Sequence, residues 1–68
     1  MKKLSSREVE IIKHTACGLT AKEIARIMGL ERRTIEAYMT NIRKKLGAKN
    51  AAHAIYIALK ISVINPFK

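Results

Sequence analysis

Ala25, Gly29 and Ile35 stand four and six residues apart in the stretch Ala21–Leu46, with Ile24, Met28, Leu30 and Tyr38 interleaved among them. That spacing predicts a helix, a sharp turn and a second helix, the helix-turn-helix arrangement. Ala25 is small, so that two crossing helices can approach, and Gly29 can take the left-handed backbone that ends a helix without a Cβ penalty. Ile35 then locks the second helix onto the first. From Ile35 the apolar residues continue through Met39, Ile42 and Leu46 at steps of three and four, which leaves Arg33, Ala37, Thr40, Asn41 and Lys44 on the opposite side. The helix expected over about Arg32–Leu46 therefore has one face for the core and one polar, basic face.

The remaining segments supply supporting helices. Ser5 followed by Glu8 is a capping box, with Leu4 placed to staple onto Val9. The helix it opens should bury Val9, Ile12 and Ala16, with Ile11 and Thr15 beside them, keep His14 at the surface and stop at Gly18. Thr20 and Glu23 repeat the device for the second helix, which puts Ile24, Ala25 and Met28 inward. Lys22 sits in the first turn of that helix, where a cation opposes the helix dipole. A phosphate nearby would relieve this; a solvated lysine tolerated by a strong cap is the alternative. Gly47 closes the third helix, and Asn50 can cap a fourth reaching about Ile61, with Ala54, Ile55 and Ala58 inward. His53, in its first turn, is expected to be exposed. Asn65-Pro66-Phe67-Lys68 cannot extend this helix.

Sixty-eight residues form a single domain, 1–68 with a core of about 4–64. At that size folding buries only roughly 60% of the surface of the unfolded chain, too little for a large catalytic cavity. Strict period-two alternation is absent, so the fold class is all-α, four helices. Helix four carries more apolar residues than one buried face needs. Tyr56, Ile57, Leu59, Ile61, Val63 and Ile64 cannot all go inside, so some form an exposed patch or an interface. Ile57 is expected on the outward side.

Charge narrows the partner. Fourteen Lys and Arg against five Asp and Glu give +9. All five acids lie at or before Glu36: residues 1–36 hold eight bases and five acids (+3), residues 37–68 six bases and none (+6). Such a field points to a polyanion. No apolar run approaches the roughly 20 residues that cross a bilayer, and Met1-Lys2-Lys3 leads into a capped helix rather than a signal-peptide core, so a cytoplasmic chain with no membrane partner is expected. Cys17 is the only cysteine, which excludes an internal disulfide, and His14 and His53 do not complete a metal-ligand set. No cofactor or metal is called for. Paired acid and base, a phosphate-cradling glycine loop and a ligand cluster are all missing, so the chain does not read as an enzyme.

With these residues placed, the chain resembles the LuxR-type (GerE-like) helix-turn-helix domain of bacterial transcription regulators. The likeness runs from Leu4 to Ile64. It is carried by Leu4-Ser5, Arg7-Glu8 and Glu10-Ile11-Ile12; by Gly18 and Thr20-Ala21-Lys22-Glu23-Ile24-Ala25; by Thr34-Ile35, Asn41-Ile42 and Lys45-Leu46-Gly47; and by Asn50 with Ala54-Ile55. The resemblance implies duplex DNA binding, with the third helix in the major groove and the fourth pairing two copies into a homodimer. On matching positions, Thr20, Lys22, Arg33, Thr34, Lys44 and Lys45 would hold phosphates, and Glu36, Ala37 and Thr40 would face base edges. A dimer through Tyr56, Ile57 and Ile61 would seat two recognition helices about one DNA turn apart on an inverted repeat.

The chain departs from the family pattern at several places. Glu31 and Arg32 replace a common Ser-Pro cap, Tyr38 a common His, and Ala51 a common Arg whose loss weakens any backbone contact there. Glu36 stands where relatives often have Lys. A carboxylate there can accept from cytosine N4, or it can pair with Arg32 or Arg33 in solvent. This reading covers either a complete small protein or the output domain of a longer regulator with an upstream regulatory domain, and two other functions compete with it: a protein-interaction module working through the apolar fourth helix with weak DNA binding, and the promoter-reading segment of a sigma factor. The fourth helix after Asn50 argues against the sigma-factor reading, and the +6 half-chain favours DNA over a protein partner.

Overall fold

The computed structural model describes residues 3–61, which form α1 (Ser6–Ala16), α2 (Ala21–Met28), α3 (Arg32–Leu46) and α4 (Ala51–Lys60). No strand occurs among them. Val63, Ile64 and the expected loose end at 65–68 lie outside the described residues. Helix α3 is central: it packs against each of the other three, while α2 and α4 do not touch.

Helix starts follow the capping chemistry. Ser5 Oγ accepts the Glu8 N–H at 3.2 Å and Glu8 Oε1 accepts the Ser5 N–H at 2.8 Å. Thr20 and Glu23 repeat the pair with the same distances. Asn50 Oδ1 accepts the His53 N–H at 2.8 Å to start α4. Glu31, by contrast, precedes α3 with no side-chain cap hydrogen bond. The turn between α2 and α3 closes as the spacing requires. Gly29 has φ 68° and ψ 33°, and the Leu30 N–H reaches back to the Ala25 carbonyl at 2.9 Å. This is a Schellman-type ending, which an L side chain would strain. Gly47 and Ala48 end α3 in the same way.

The core is Ile11 and Ile12 of α1, Ile24 and Ala25 of α2, Ile35, Ile42 and Leu46 of α3, and Ala54 and Ala58 of α4. Its five isoleucines are fully buried, each stabilising the fold by about 1.5–3 kcal/mol. Alanines face α3 from α2 and α4, which lets those helices come close. Three expectations are corrected here. In α1 the inward stripe is Glu8, Ile11 and Ile12, with Val9 and Ala16 only half-buried at its edges. In α4, Ile57 is half-buried against the core instead of facing outward, because it lies three residues after Ala54 and next to Ala58 on the inward stripe. His53 is also half-buried, its Nδ1 accepting the Lys49 N–H at 3.0 Å.

Candidate nucleic-acid interface

Because Ile35, Ile42 and Leu46 fix one side of α3 in the core, the helix can show only the other side to a partner. That side carries Arg33, Glu36, Ala37, Thr40, Asn41 and Lys44, all exposed. Thr34 is half-buried at its margin. An open cleft of about 430 Å³ separates the Glu36–Thr40–Arg43 edge of α3 from Leu19 and Ala21 at the start of α2. Thr20 and Lys22, both exposed, stand at that same start, so the α2 N-terminus and the free face of α3 border one concave surface. No ion pair holds Lys22 or Lys44 among the described residues, so both ammonium groups are available to an anion.

Hydrogen bonds within α3 order the polar face. Arg32 Nε donates to Glu36 Oε2 at 3.2 Å. The Thr40 hydroxyl donates to the Glu36 carbonyl at 3.1 Å and accepts from Arg43 Nη2 at 3.4 Å. Arg33 lies 3.6 Å from Glu31, both side chains well solvated, so this pair is weak.

Lys45 differs from Lys44. Its Nζ lies 2.7 Å from Oε1 of Glu8, whose side chain is only 4% exposed. Burial works to raise the pKa of Glu8; the hydrogen bonds from Lys45 and Ser5, with the ammonium's charge, outweigh it and hold the carboxyl below its ordinary value. Glu23 is lowered too, by the backbone and hydroxyl hydrogen bonds of Thr20. The Glu8–Lys45 pair thus ties the C-terminal end of α3 to the first turn of α1.

Residues 2–58 match the family described as bacterial regulatory proteins, luxR family. The chain belongs to that family. It is 40% identical over 62 residues to the transcriptional activator protein ExpR of Dickeya dadantii (strain 3937), which covers 91% of this chain and 25% of ExpR. Among solved structures, the response regulator ChrA of a heme-sensing two-component system superposes with a TM-score of 0.88 at 30% identity, covering 94% of this chain and 32% of ChrA. The Vibrio cholera VqmA–ligand–DNA complex superposes with a TM-score of 0.85 at 32% identity, covering 97% of this chain and 30% of VqmA. The chain therefore spans a quarter to a third of the length of these regulators. It is a luxR-family DNA-binding domain of the kind found in transcription regulators.

Set against the sequence expectations, the luxR-family fold brings Glu36, Ala37, Thr40, Arg33, Lys44, Thr20 and Lys22 onto one solvent-facing surface. Of the two open possibilities for Glu36, the Arg32 pair is present through Oε2, and Oε1 carries no hydrogen bond among the described residues. Two side-chain pairs were missed. Glu8 with Lys45 was visible in outline, since Glu8 shares the three-and-four spacing of Ile11 and Ile12 and so had to face the core. Arg43 with Thr40 was signalled only by the i,i+3 spacing. The α4 patch is distinct from this surface: Tyr56 is 59% exposed, and Leu59 and Ile61 each 39%. Leu59 thus joins Tyr56 and Ile61 in the exposed apolar set, and Ile57 contributes an edge at most.

Proposed function

We propose that this luxR-family domain binds duplex DNA sequence-specifically with α3 in the major groove, as a homodimer on an inverted-repeat site in the cytoplasm. One observation carries the reading. The only side of α3 not committed to the core is a polar face with basic residues at both ends, bordered by the α2 N-terminus. In this reading Arg33, Thr34 and Lys44 hold phosphates along α3, and Thr20 and Lys22 hold another from the start of α2, where the anion would also relieve Lys22 of the helix dipole. Lys45, anchored on Glu8, can share a remaining N–H with the backbone. Glu36, Ala37 and Thr40 then meet base edges.

The homodimer would form through Tyr56, Ile61 and the edge of Ile57, with Leu59 added. A two-fold pair buries the same patch twice and would set two α3 helices roughly 34 Å apart. A single short helix face buries less than the roughly 1,200 Å² of stable complexes, so DNA would complete the pairing. The DNA-bound state of VqmA supports the reading, as does the activator role of ExpR. The test is binding to a random duplex and to a selected duplex across a salt series. A steep fall of affinity with salt on both, with tighter binding to the selected site, is expected. Salt-insensitive or undetectable binding would favour the protein-interaction alternative working through α4.

A further inference from the structure

The hydrogen bonds along α3 restrict what its exposed face can say to a base. A threonine hydroxyl has one proton and two lone pairs. On Thr40 the proton is given to the Glu36 carbonyl at 3.1 Å, and one lone pair is occupied by Arg43 Nη2 at 3.4 Å. Toward solvent, Thr40 keeps one lone pair and its methyl group. Glu36 is an ionised carboxylate with acceptors only; Arg32 occupies Oε2, and Oε1 carries no hydrogen bond among the described residues. Ala37 adds a methyl group. At Glu36, Ala37 and Thr40 the face therefore offers acceptors and methyls; the donors beside them are the guanidinium groups of Arg32 and Arg43, bonded to Glu36 and Thr40, and the amide of Asn41.

We propose that this domain reads exocyclic amino groups, adenine N6 or cytosine N4, through acceptors on Glu36 and Thr40, and that Arg43 is a further specificity-determining residue that positions the Thr40 hydroxyl. Each base pair presents one such amino group in the major groove, on the strand that carries the adenine or cytosine, whereas guanine O6 and N7 and thymine O4 are acceptors. The acceptors of Glu36 and Thr40 thus distinguish which strand carries the amino group, and the methyls of Ala37 and Thr40 suit the C5-methyl of thymine. The proposal rests on the reading of α3 as the groove helix. It goes further in fixing the chemical class of the bases chosen.

The experiment selects bound duplexes from a random pool with the wild-type domain, Glu36→Leu, Thr40→Val and Arg43→Met, each checked for an unchanged helical spectrum. Base pairs whose preference changes in Glu36→Leu or Thr40→Val are then probed in the wild-type consensus. One set of duplexes lacks the amino group, carrying purine for adenine or 2-pyrimidinone for cytosine, which also separates the two bases. A second set lacks the acceptor N7, carrying 7-deaza purines. Loss of the amino group at the Glu36 pair should weaken wild-type binding on the order of ten-fold, and that of Glu36→Leu, which has no acceptor there, by much less. Loss of N7 should leave the wild type almost unchanged. Arg43→Met should broaden the preference at the pair sensed by Thr40 and leave the Glu36 pair as it was. The proposal is overturned if N7 removal costs more than amino removal, or if amino removal costs wild type and Glu36→Leu equally; DNA binding by α3 would survive either result. Failure of the wild-type domain to enrich any sequence would refute the groove reading itself and the amino-group code with it.

Discussion

Replacing Lys45 by methionine keeps the side-chain length, removes the charge and leaves Glu8 with a carboxylate that is 4% exposed and has lost its counter-ion. Removing one partner of a fully buried pair costs about 3–5 kcal/mol. Lys45 is itself 29% exposed, so water can partly replace it, and the appropriate figure falls to about 1.5–3 kcal/mol, that of a hydrogen bond to a charged group. In a domain of this size each kcal/mol moves Tm by roughly 4–8 °C. Lys45→Met should therefore melt about 6–24 °C below the wild type near neutral pH. The pH dependence gives the argument its sign. The folded-state pKa of Glu8 is lowered, so the pair's contribution is complete above the ordinary glutamate pKa and is lost as pH falls through the lowered one. Thermal melts of both proteins followed by circular dichroism from pH 7 down to pH 3 should show the gap closing at the acid end. Lys44→Met, on the exposed face, should stay within about 0.5 kcal/mol of wild type throughout. Equal melting of Lys45→Met and wild type at pH 7, or a deficit that does not shrink in acid, would refute the structural role assigned to the Glu8–Lys45 pair.

Further perturbations test other parts of the fold and surface. Gly29→Val should destabilise by on the order of 1–3 kcal/mol in a thermal melt; a Cβ there would meet no atom within 4 Å, so the cost is that of the φ +68° backbone and not of a clash. Asn50→Ala removes the α4 cap and should cost about 1 kcal/mol, read by the same melt. Lys44→Ala should weaken binding to every duplex about equally and lower the slope of log affinity against log salt by about one, whereas Thr40→Ala should change which sequence is preferred. Tyr56→Asp should leave the monomer folded and half-site binding intact while abolishing cooperative occupancy of an inverted repeat; cooperativity that survives would move the interface off α4.

Helix limits were legible in the sequence because they rest on local chemistry. Ser5 with Glu8, Thr20 with Glu23, Asn50, Gly29 and Gly47 each act over three to five residues, and all five devices are present where the spacing puts them. The polar face of α3 was legible for a related reason, since Ile35, Ile42 and Leu46 leave it no other direction. What escaped depends on packing between helices. Ile57 was expected outward because α4 is apolar nearly all round and its pattern singles out no one face; the neighbours Ala54 and Ala58 settle its direction only once α3 lies against them. Lys45 read as one more cation in a basic last turn. Its distance from Glu8 is set by how α1 crosses α3, 37 residues apart in sequence, and no local pattern encodes that.

In the proposed complex DNA lies on the free face of α3 together with the first turn of α2. Titrating a selected duplex into isotopically labelled domain and following backbone amide shifts tests it residue by residue. The largest shifts are expected at Arg33, Glu36, Ala37, Thr40 and Lys44 and at Thr20–Glu23, with those of Ile11, Ile12 and Ile24 almost unmoved. Shifts confined to Tyr56, Leu59 and their neighbours on α4, with the face of α3 silent, would contradict it.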